Sequence, residues 1–476
     1  MNSNISIWLF RFLLYLFFDT IGYVLVNSEL FSVQFTELLF ILMFVTALFF
    51  ESQVSKHRFF VLPPTILSLS IFLQVAISGL AYSAVGVGAW EYFDGDYSYI
   101  LKAIWYSQIA VHVLWISFYL LPDFEVNFYK KVKIVGVSNM LIGLFILISL
   151  VVVFFGISTG NLGYVKDAEV NSYTTVISLG TLLGPLSIVF LTVYSYEDAQ
   201  KRKVIYSLII VYFIIGLFLG IKSTALSPIA LFVISLYMTN RKIKKRFVLF
   251  FLLAIAISYV VIEPFRMYYS YVGKNYNTKS IGGYVGLYKD AIAFAGEVDG
   301  DNVESNFAFS FVERQSYVSS MCMAMQYADK NNFYIEDEWK NVALSPLYGV
   351  IPRFVWGSKP LANFGHFVSF TIYGSSEENS IGITAVGYSY LAARLLGVIC
   401  FFIVLGLVQR LMFNIFYLNG SYIPFYIFFF ILIALPGDAP WTYVSGSIQN
   451  LIIFLLILAF LVYTRIGKKV DLPLKK

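Results

Sequence analysis

Apolar runs as long as a bilayer is thick recur along nearly the whole of this chain. With no water in the hydrocarbon core to satisfy backbone N–H and C=O groups, each such run must close its hydrogen bonds within itself, as a helix. At 1.5 Å per residue, about 20 apolar residues cross roughly 30 Å. Runs of this kind fall near 5–26, 31–50, 59–82, 101–121, 134–156, 174–196, 204–221, 224–239, 247–264, 389–412, 422–436 and 447–465. They predict an all-α polytopic membrane protein with about twelve spans. Composition agrees: 59% hydrophobic and 13% charged residues, with a mean hydropathy of +0.76, lie outside the range of soluble domains. Aromatic residues at 19% suit interfacial belts and sugar- or lipid-facing surfaces.

The first apolar run reads as a span and not as a cleaved signal. No basic region precedes it, Arg11 and Asp19 interrupt it, and no small-residue cleavage site follows. The two cysteines, Cys322 and Cys400, are too few for a disulfide framework or a zinc site.

Charge orients the spans. One set of alternate loops carries Lys56 and Arg58, then Lys130, Lys131 and Lys133, then Lys201, Arg202 and Lys203. The same side receives Arg241, Lys242, Lys244, Lys245 and Arg246, and later Arg465, Lys468 and Lys469. The opposite loops carry Glu91, Asp94 and Asp96, or Lys166 beside Asp167 and Glu169. The positive-inside rule then predicts that both termini are cytoplasmic. It divides the chain into an N-terminal bundle (1–264), a large polar segment facing the periplasm or cell exterior (265–388) and C-terminal spans with a tail (389–476).

That placement excludes several function classes. No Walker glycine–lysine pattern occurs, and no GxGxxG follows a strand. The basic runs are short juxtamembrane patches, which set topology and contact anionic lipids; they are not nucleic-acid sites. An outward-facing site has no access to ATP or sugar nucleotides, so a transferase there needs a donor already activated on a lipid. No metal and no cofactor are expected.

Ionisable residues within spans are costly and mark candidate functional positions. Arg11, Asp19, Glu37, His112 and Arg394 qualify, with Glu263 at a span's outer edge. Asp19 and Glu37 fall at similar depths and are expected to share a polar cavity, paired with Lys222 or Arg394, or else to form ion pairs that fix packing. His112 is expected to bond a neighbouring carbonyl. Lys222 lies in the very short turn Gly220–Ile221–Lys222–Ser223, where it either meets a lipid phosphate or snorkels to the headgroups.

The polar segment is helix-rich in its pattern. From Phe309 to Ala328, Phe311, Val318, Met321, Cys322 and Met325 recur on one helical face, and Arg314 falls on that same buried face. A buried arginine needs an anion, either a protein carboxylate or a substrate phosphate. In Ile351–Pro352–Arg353–Phe354–Val355–Trp356–Gly357–Ser358–Lys359–Pro360, two prolines stiffen a loop that presents Arg353 and Lys359. Trp356 between them suits stacking on a sugar or anchoring at the interface. His366, Tyr373, Glu377 and Glu378 follow. The glutamate pair is either a general base or a solvated loop, and His366 either a base or an interfacial residue.

These features together resemble the bacterial O-antigen polymerase family (Wzy type), the oligosaccharide repeat unit polymerases. The carrying residues are Gly220–Ile221–Lys222, Arg314 in the large outer loop, Ile351–Pro352–Arg353 through Lys359–Pro360, and Thr384 through Gly387–Tyr388 to Leu396–Gly397–Val398. The resemblance implies a fold like the polytopic glycosyltransferases that use lipid donors. Its implied activity is polymerisation of undecaprenyl-diphosphate-linked oligosaccharides, with those lipids, membrane lipids and a chain-length regulator as partners. By context it assigns catalytic roles to Arg314 and Arg353. The diphosphate and glycan then fall to Arg266, Lys222, Lys359, Trp356 and Tyr373, with His366, Glu377 or Glu378 as candidate bases. The chain departs from the family pattern at Lys222, where many members carry arginine, and at Pro436–Gly437–Asp438, which lacks an arginine often found nearby. An O-antigen ligase shares much of the layout; a lipid-linked glycan flippase is the non-enzymatic alternative, against which stand the absence of inverted repeats and the bulk of the outer segment.

Overall fold

The structure is a computed structural model, and it describes residues 2–28, 31–85, 97–124, 138–159, 162–163, 172–272, 281–297, 317–351, 355–356, 365–372, 374, 382–418, 422–435 and 440–463. All secondary structure among them is helical. In chain order the helices are α1 (Asn2–Asn27), α2 (Val33–Val54), α3 (Pro63–Ile71), α4 (Ser78–Val85) and α5 (Tyr97–Phe118). Then come α6 (Asn139–Ser158), α7 (Ser172–Ser195), α8 (Ala199–Phe218), α9 (Lys222–Met238), α10 (Lys245–Val272) and α11 (Ile281–Glu297). The remainder are α12 (Val318–Asn331), α13 (Glu338–Val350), α14 (Thr384–Met412), α15 (Ile423–Ala434) and α16 (Pro440–Tyr463). A π-helical turn, Phe72–Ile77, joins α3 to α4.

Eight helical runs among the described residues are long and apolar enough to cross a membrane, which makes this a multi-pass membrane protein. Three shorter apolar helices, Gly180–Ser195, Lys222–Met238 and Ile423–Ala434, lie on further expected spans. Side-chain caps start several helices where the sequence provides them. Ser32 accepts from the Phe35 amide at 3.3 Å, Ser138 from Leu141 at 3.2 Å, and Asp198 from Gln200 at 2.8 Å. Each satisfies an amide that the first helical turn leaves free.

The chain folds as two compact units. The first comprises Met1–Val126, Phe307–Leu418 and Phe430–Ile453. Its central packing is α5 against α14. A side chain at Gly406 would collide with the Ser117 hydroxyl, so the two backbones approach closely there. Ser117 also donates to the Phe402 carbonyl at 3.2 Å, the small-residue and hydroxyl contact by which helices associate in lipid. Trp115, Phe118, Phe402 and Phe413 are fully buried around this seam. Gln409 donates to the Ile433 and Ala434 carbonyls at 3.1 and 3.3 Å, satisfying groups that the end of α15 leaves open.

Two expectations about membrane charges are corrected within this unit, and Arg11 is given its partner. Asp19 and Glu37 do not share partners. Asp19 receives His112 Nδ1 at 2.7 Å, and Glu37, fully buried, accepts from the Ser83 hydroxyl. His112 therefore bonds a carboxylate and not a carbonyl, and it stacks on Tyr15 with ring centroids 4.2 Å apart. Arg11 makes two bonds to the fully buried Glu51, at 2.5 and 2.9 Å, and Tyr15 donates to the same carboxylate at 2.6 Å. The reason is common to all three. A buried polar group needs a partner at hydrogen-bonding distance, and packing supplies one from another helix: a carboxylate for Arg11 and for His112, a hydroxyl for Glu37.

The second unit comprises Asn127–Asn306, Asn419–Phe429 and Phe454–Lys476. Its helices pack α6 on α7, α8 on α9 and α10 on α11, with α7 and α10 also against α9. Ile188, Ile205, Ile229, Phe232 and Leu236 form its core. Helix α10 runs past the expected span end at 264 to Val272 and carries Pro264 inside it.

Candidate functional site

Two groups of polar residues stand out, one in each unit. In the second unit, the short connection from α8 to α9 turns at Gly220 with φ +67, a conformation open to glycine. Two later residues bond this turn: Tyr288 of α11 donates to the Leu217 carbonyl, which also accepts the Gly220 amide, and Arg266 Nε of α10 donates to the Gly220 carbonyl at 3.0 Å. Lys222 opens α9, where the helix dipole alone disfavours a cation. Glu263 compensates: the Lys222 ammonium forms an ion pair with it and lies 3.4 Å from the centre of the Tyr259 ring. Phe265 stacks on Tyr288 with centroids 4.1 Å apart and so anchors α11 against this corner. Lys222 and Arg266, two cations expected from the sequence to bind substrate, are thus brought to one helix start. Lys222 is ion-paired with Glu263, contrary to the expected pairing with Asp19 or Glu37.

In the first unit, α14 is broken. Ala393 and Arg394 leave helical geometry, with Arg394 at φ 56. Gly397 then passes so close to the Ser389 carbonyl that no side chain fits there. The Leu391 carbonyl, freed from its helical partner, accepts the Ile335 amide at 3.1 Å. Arg394 Nη2 donates to the Ala328 carbonyl at 2.6 Å, at the C-terminal end of α12, and its Nε lies 3.5 Å from Asp329. Tyr390 donates to Asp329 at 2.7 Å and stacks on Tyr106, and the Arg394 guanidinium lies over the Tyr334 ring at 4.6 Å. A turn away, Tyr388 donates at 2.8 Å to Glu338, a buried carboxyl at the start of α13 whose second oxygen has no hydrogen-bond partner among the described residues. Burial pushes the Glu338 carboxyl up to about 7, against the opposing effect of the Tyr388 bond.

The sequence singled out Arg394, and Tyr388 only within the family resemblance, but neither the break nor Asp329, Glu338 and Tyr390. The apolar run around the break is continuous, so hydropathy gives no sign of it; the adjacent Ala393–Arg394 pair followed by Gly397 is the only local trace. Arg394 was expected beside Asp19 or Glu37 and is found beside Asp329.

Trp356 packs edge-on to Tyr348 at 5.1 Å between centroids, and Tyr348 in turn packs edge-on to Trp441 at 5.7 Å. Arg314, Arg353, Lys359, Tyr373, Glu377 and Glu378 lie outside the described residues. His366 lies in the helical turn Gly365–Phe367, its side chain outside the described set. Val318, Met321, Cys322 and Met325 are all fully buried on α12, as the helical phase of that segment predicts.

No protein-family model matches the chain, and no curated protein or solved structure matches it.

Proposed function

We propose that this chain is a membrane glycosyltransferase that polymerises undecaprenyl-diphosphate-linked oligosaccharide repeat units into O-antigen or a related surface polysaccharide. In this reading it crosses the inner membrane about twelve times, with both termini cytoplasmic and its site on the periplasmic face. Its fold would be like that of the glycosyltransferases using lipid donors.

The supporting observation is that Lys222 opens α9 while Arg266 bonds the Gly220 carbonyl in the turn just before it. A helix start bearing two cations is a setting suited to a phosphate, because free amides, dipole and side-chain charge act in the same direction. Glu263 holds Lys222 in place without substrate. An arriving diphosphate offers more negative charge and draws on both cations. The acceptor hydroxyl then attacks the anomeric carbon, its proton goes to a base, and the carbon–oxygen bond to the lipid diphosphate breaks. From the sequence, Arg314 and Arg353 are the arginines expected to stabilise leaving-group charge, with Lys359 in the same proline-bounded segment. Glu377, Glu378 or His366 takes the proton, while Trp356 and Tyr373 supply sugar-stacking surface.

The test is complementation in cells lacking their own polymerase. Long glycan chains should appear with the native sequence and vanish with Arg314→Ala or Arg353→Ala at equal protein level. Long chains in both variants would defeat the proposal. Loss of single-repeat glycan from the lipid core would instead mark a ligase, and carrier-lipid transport without elongation a flippase.

A further inference from the structure

We infer that the first unit carries a binding site for the phosphate group of an anionic lipid, at the end of its helices where Lys56 and Arg410 lie. A cavity of 610 Å³ opens there, walled by segments around Trp8 and Arg11 of α1, Lys56 and His57 after α2, Leu120 to Asp123 after α5, and Arg410 of α14. That volume is in the range of small-molecule sites.

Three buried nitrogens in its wall have no hydrogen-bond partner among the described residues: Trp8 Nε1, His57 Nε2 and Arg410 Nη1. Unsatisfied buried donors are rare and costly, and a missing acceptor is a direct explanation. Arg410 is only 4% exposed. Its other nitrogens are used, Nε on the Leu121 carbonyl at 3.0 Å and Nη2 on Asp123 at 2.5 Å. The guanidinium is thus fixed in place with one nitrogen to spare. Arg11 is fixed likewise by Glu51.

The lining is cationic on balance. Arg11, Lys56, His57 and Arg410 supply its basic side chains, and Asp123 is the acidic residue of the wall. His57 lies 3.6 Å from Asp123, and this contact, with Arg410 beside it, holds the Asp123 carboxyl below the ordinary carboxylate range. Asp123 therefore stays ionised and orients the bases around it, and Lys56 and Trp8 remain to meet a ligand anion.

A lipid is favoured over a soluble anion by what adjoins the cavity. Ile7, Leu120 and Leu121 make part of its wall apolar. Leu9, Phe10 and Leu13 of α1 are 50, 57 and 53% exposed, an apolar face along which acyl chains can lie. A headgroup phosphate at the cations with its chains along α1 satisfies both surfaces.

This site is separate from the glycan reading, and its test involves no glycan. Full-length protein in neutral detergent is titrated with dioleoyl-phosphatidylglycerol or dioleoyl-phosphatidylcholine, and bound lipid is counted by native mass spectrometry. The phosphatidylglycerol complex should dominate. Lys56→Gln and Trp8→Phe, which leave the Arg11–Glu51 and Arg410–Asp123 pairs intact, should each weaken it about ten-fold, the scale of one charge-assisted contact. Equal retention of the two lipids, or unchanged binding in both variants, would overturn the inference. Displacement by inorganic phosphate without any preference between the lipids would overturn the lipid assignment.

Discussion

Arg394 and Arg410 sit at the two ends of one helical run in α14, about 24 Å apart along its axis at 1.5 Å per residue. Each turns onto an aspartate from another segment: Arg394 lies 3.5 Å from Asp329, and Arg410 2.5 Å from Asp123. Aromatic rings cover both guanidiniums, Tyr334 and Tyr390 at one end and Phe118, Tyr119 and Phe413 at the other. The helix thus carries its cations at its two limits and leaves an apolar stretch between them, the arrangement lipid favours.

The first prediction concerns the pair of Asp329 and Arg394. Asp329 and Arg394 are 28% and 21% exposed, so water still reaches them and the pair is screened. A double-mutant cycle of Asp329→Asn and Arg394→Gln, followed by thermal unfolding in detergent, should give a coupling of about 1 kcal/mol. Strict additivity would mean that the break in α14 holds itself without this pair.

Glu338 makes stability depend on pH. Its folded value, about 7, lies above the ordinary 4.5, so the folded state binds its proton more tightly than the unfolded chain does. Its contribution is complete below about pH 4.5 and falls as pH rises through about 7, a change of about 3 kcal/mol. Unfolding midpoints of the native protein should therefore drop between pH 5 and 8 more than those of Glu338→Gln. Parallel profiles for the two proteins would refute this.

Lys222 separates support from substrate binding. Lys222→Met strands the buried Glu263 and should destabilise the second unit by about 3–5 kcal/mol. The double variant Lys222→Met/Glu263→Met removes both charges and should recover the native unfolding midpoint. If Lys222 binds diphosphate, that refolded variant still elongates glycan about a hundred-fold more slowly. Full elongation would reduce Lys222 to a packing role.

Gly406 tests the central seam. A leucine there collides with the Ser117 hydroxyl and the Leu114 carbonyl, both parts of α5. Gly406→Leu should destabilise the protein by about 1–3 kcal/mol, whereas Gly143→Leu, at a position with nothing within 4 Å, should change it little. Thermal unfolding of the two side by side checks the contrast.

The sequence by itself determined that this chain is a set of membrane helices and where most of them run. The cause is local: a segment in lipid must satisfy its own backbone, and about 20 apolar residues suffice to record that. The buried face of α12 was legible for the same reason, since Val318, Met321, Cys322 and Met325 follow a helical period. Only the tertiary structure decided the partners of the charges. Arg11 meets Glu51 and Lys222 meets Glu263 across about forty residues, Asp19 meets His112 across 93, and Arg410 meets Asp123 across 287. No periodicity encodes such pairs, because they depend on which helices lie side by side and at what depth. The break at Arg394 has the same origin: its strained backbone is held by Ala328, Asp329 and Ile335, residues that reach it only once α12 and α13 have packed.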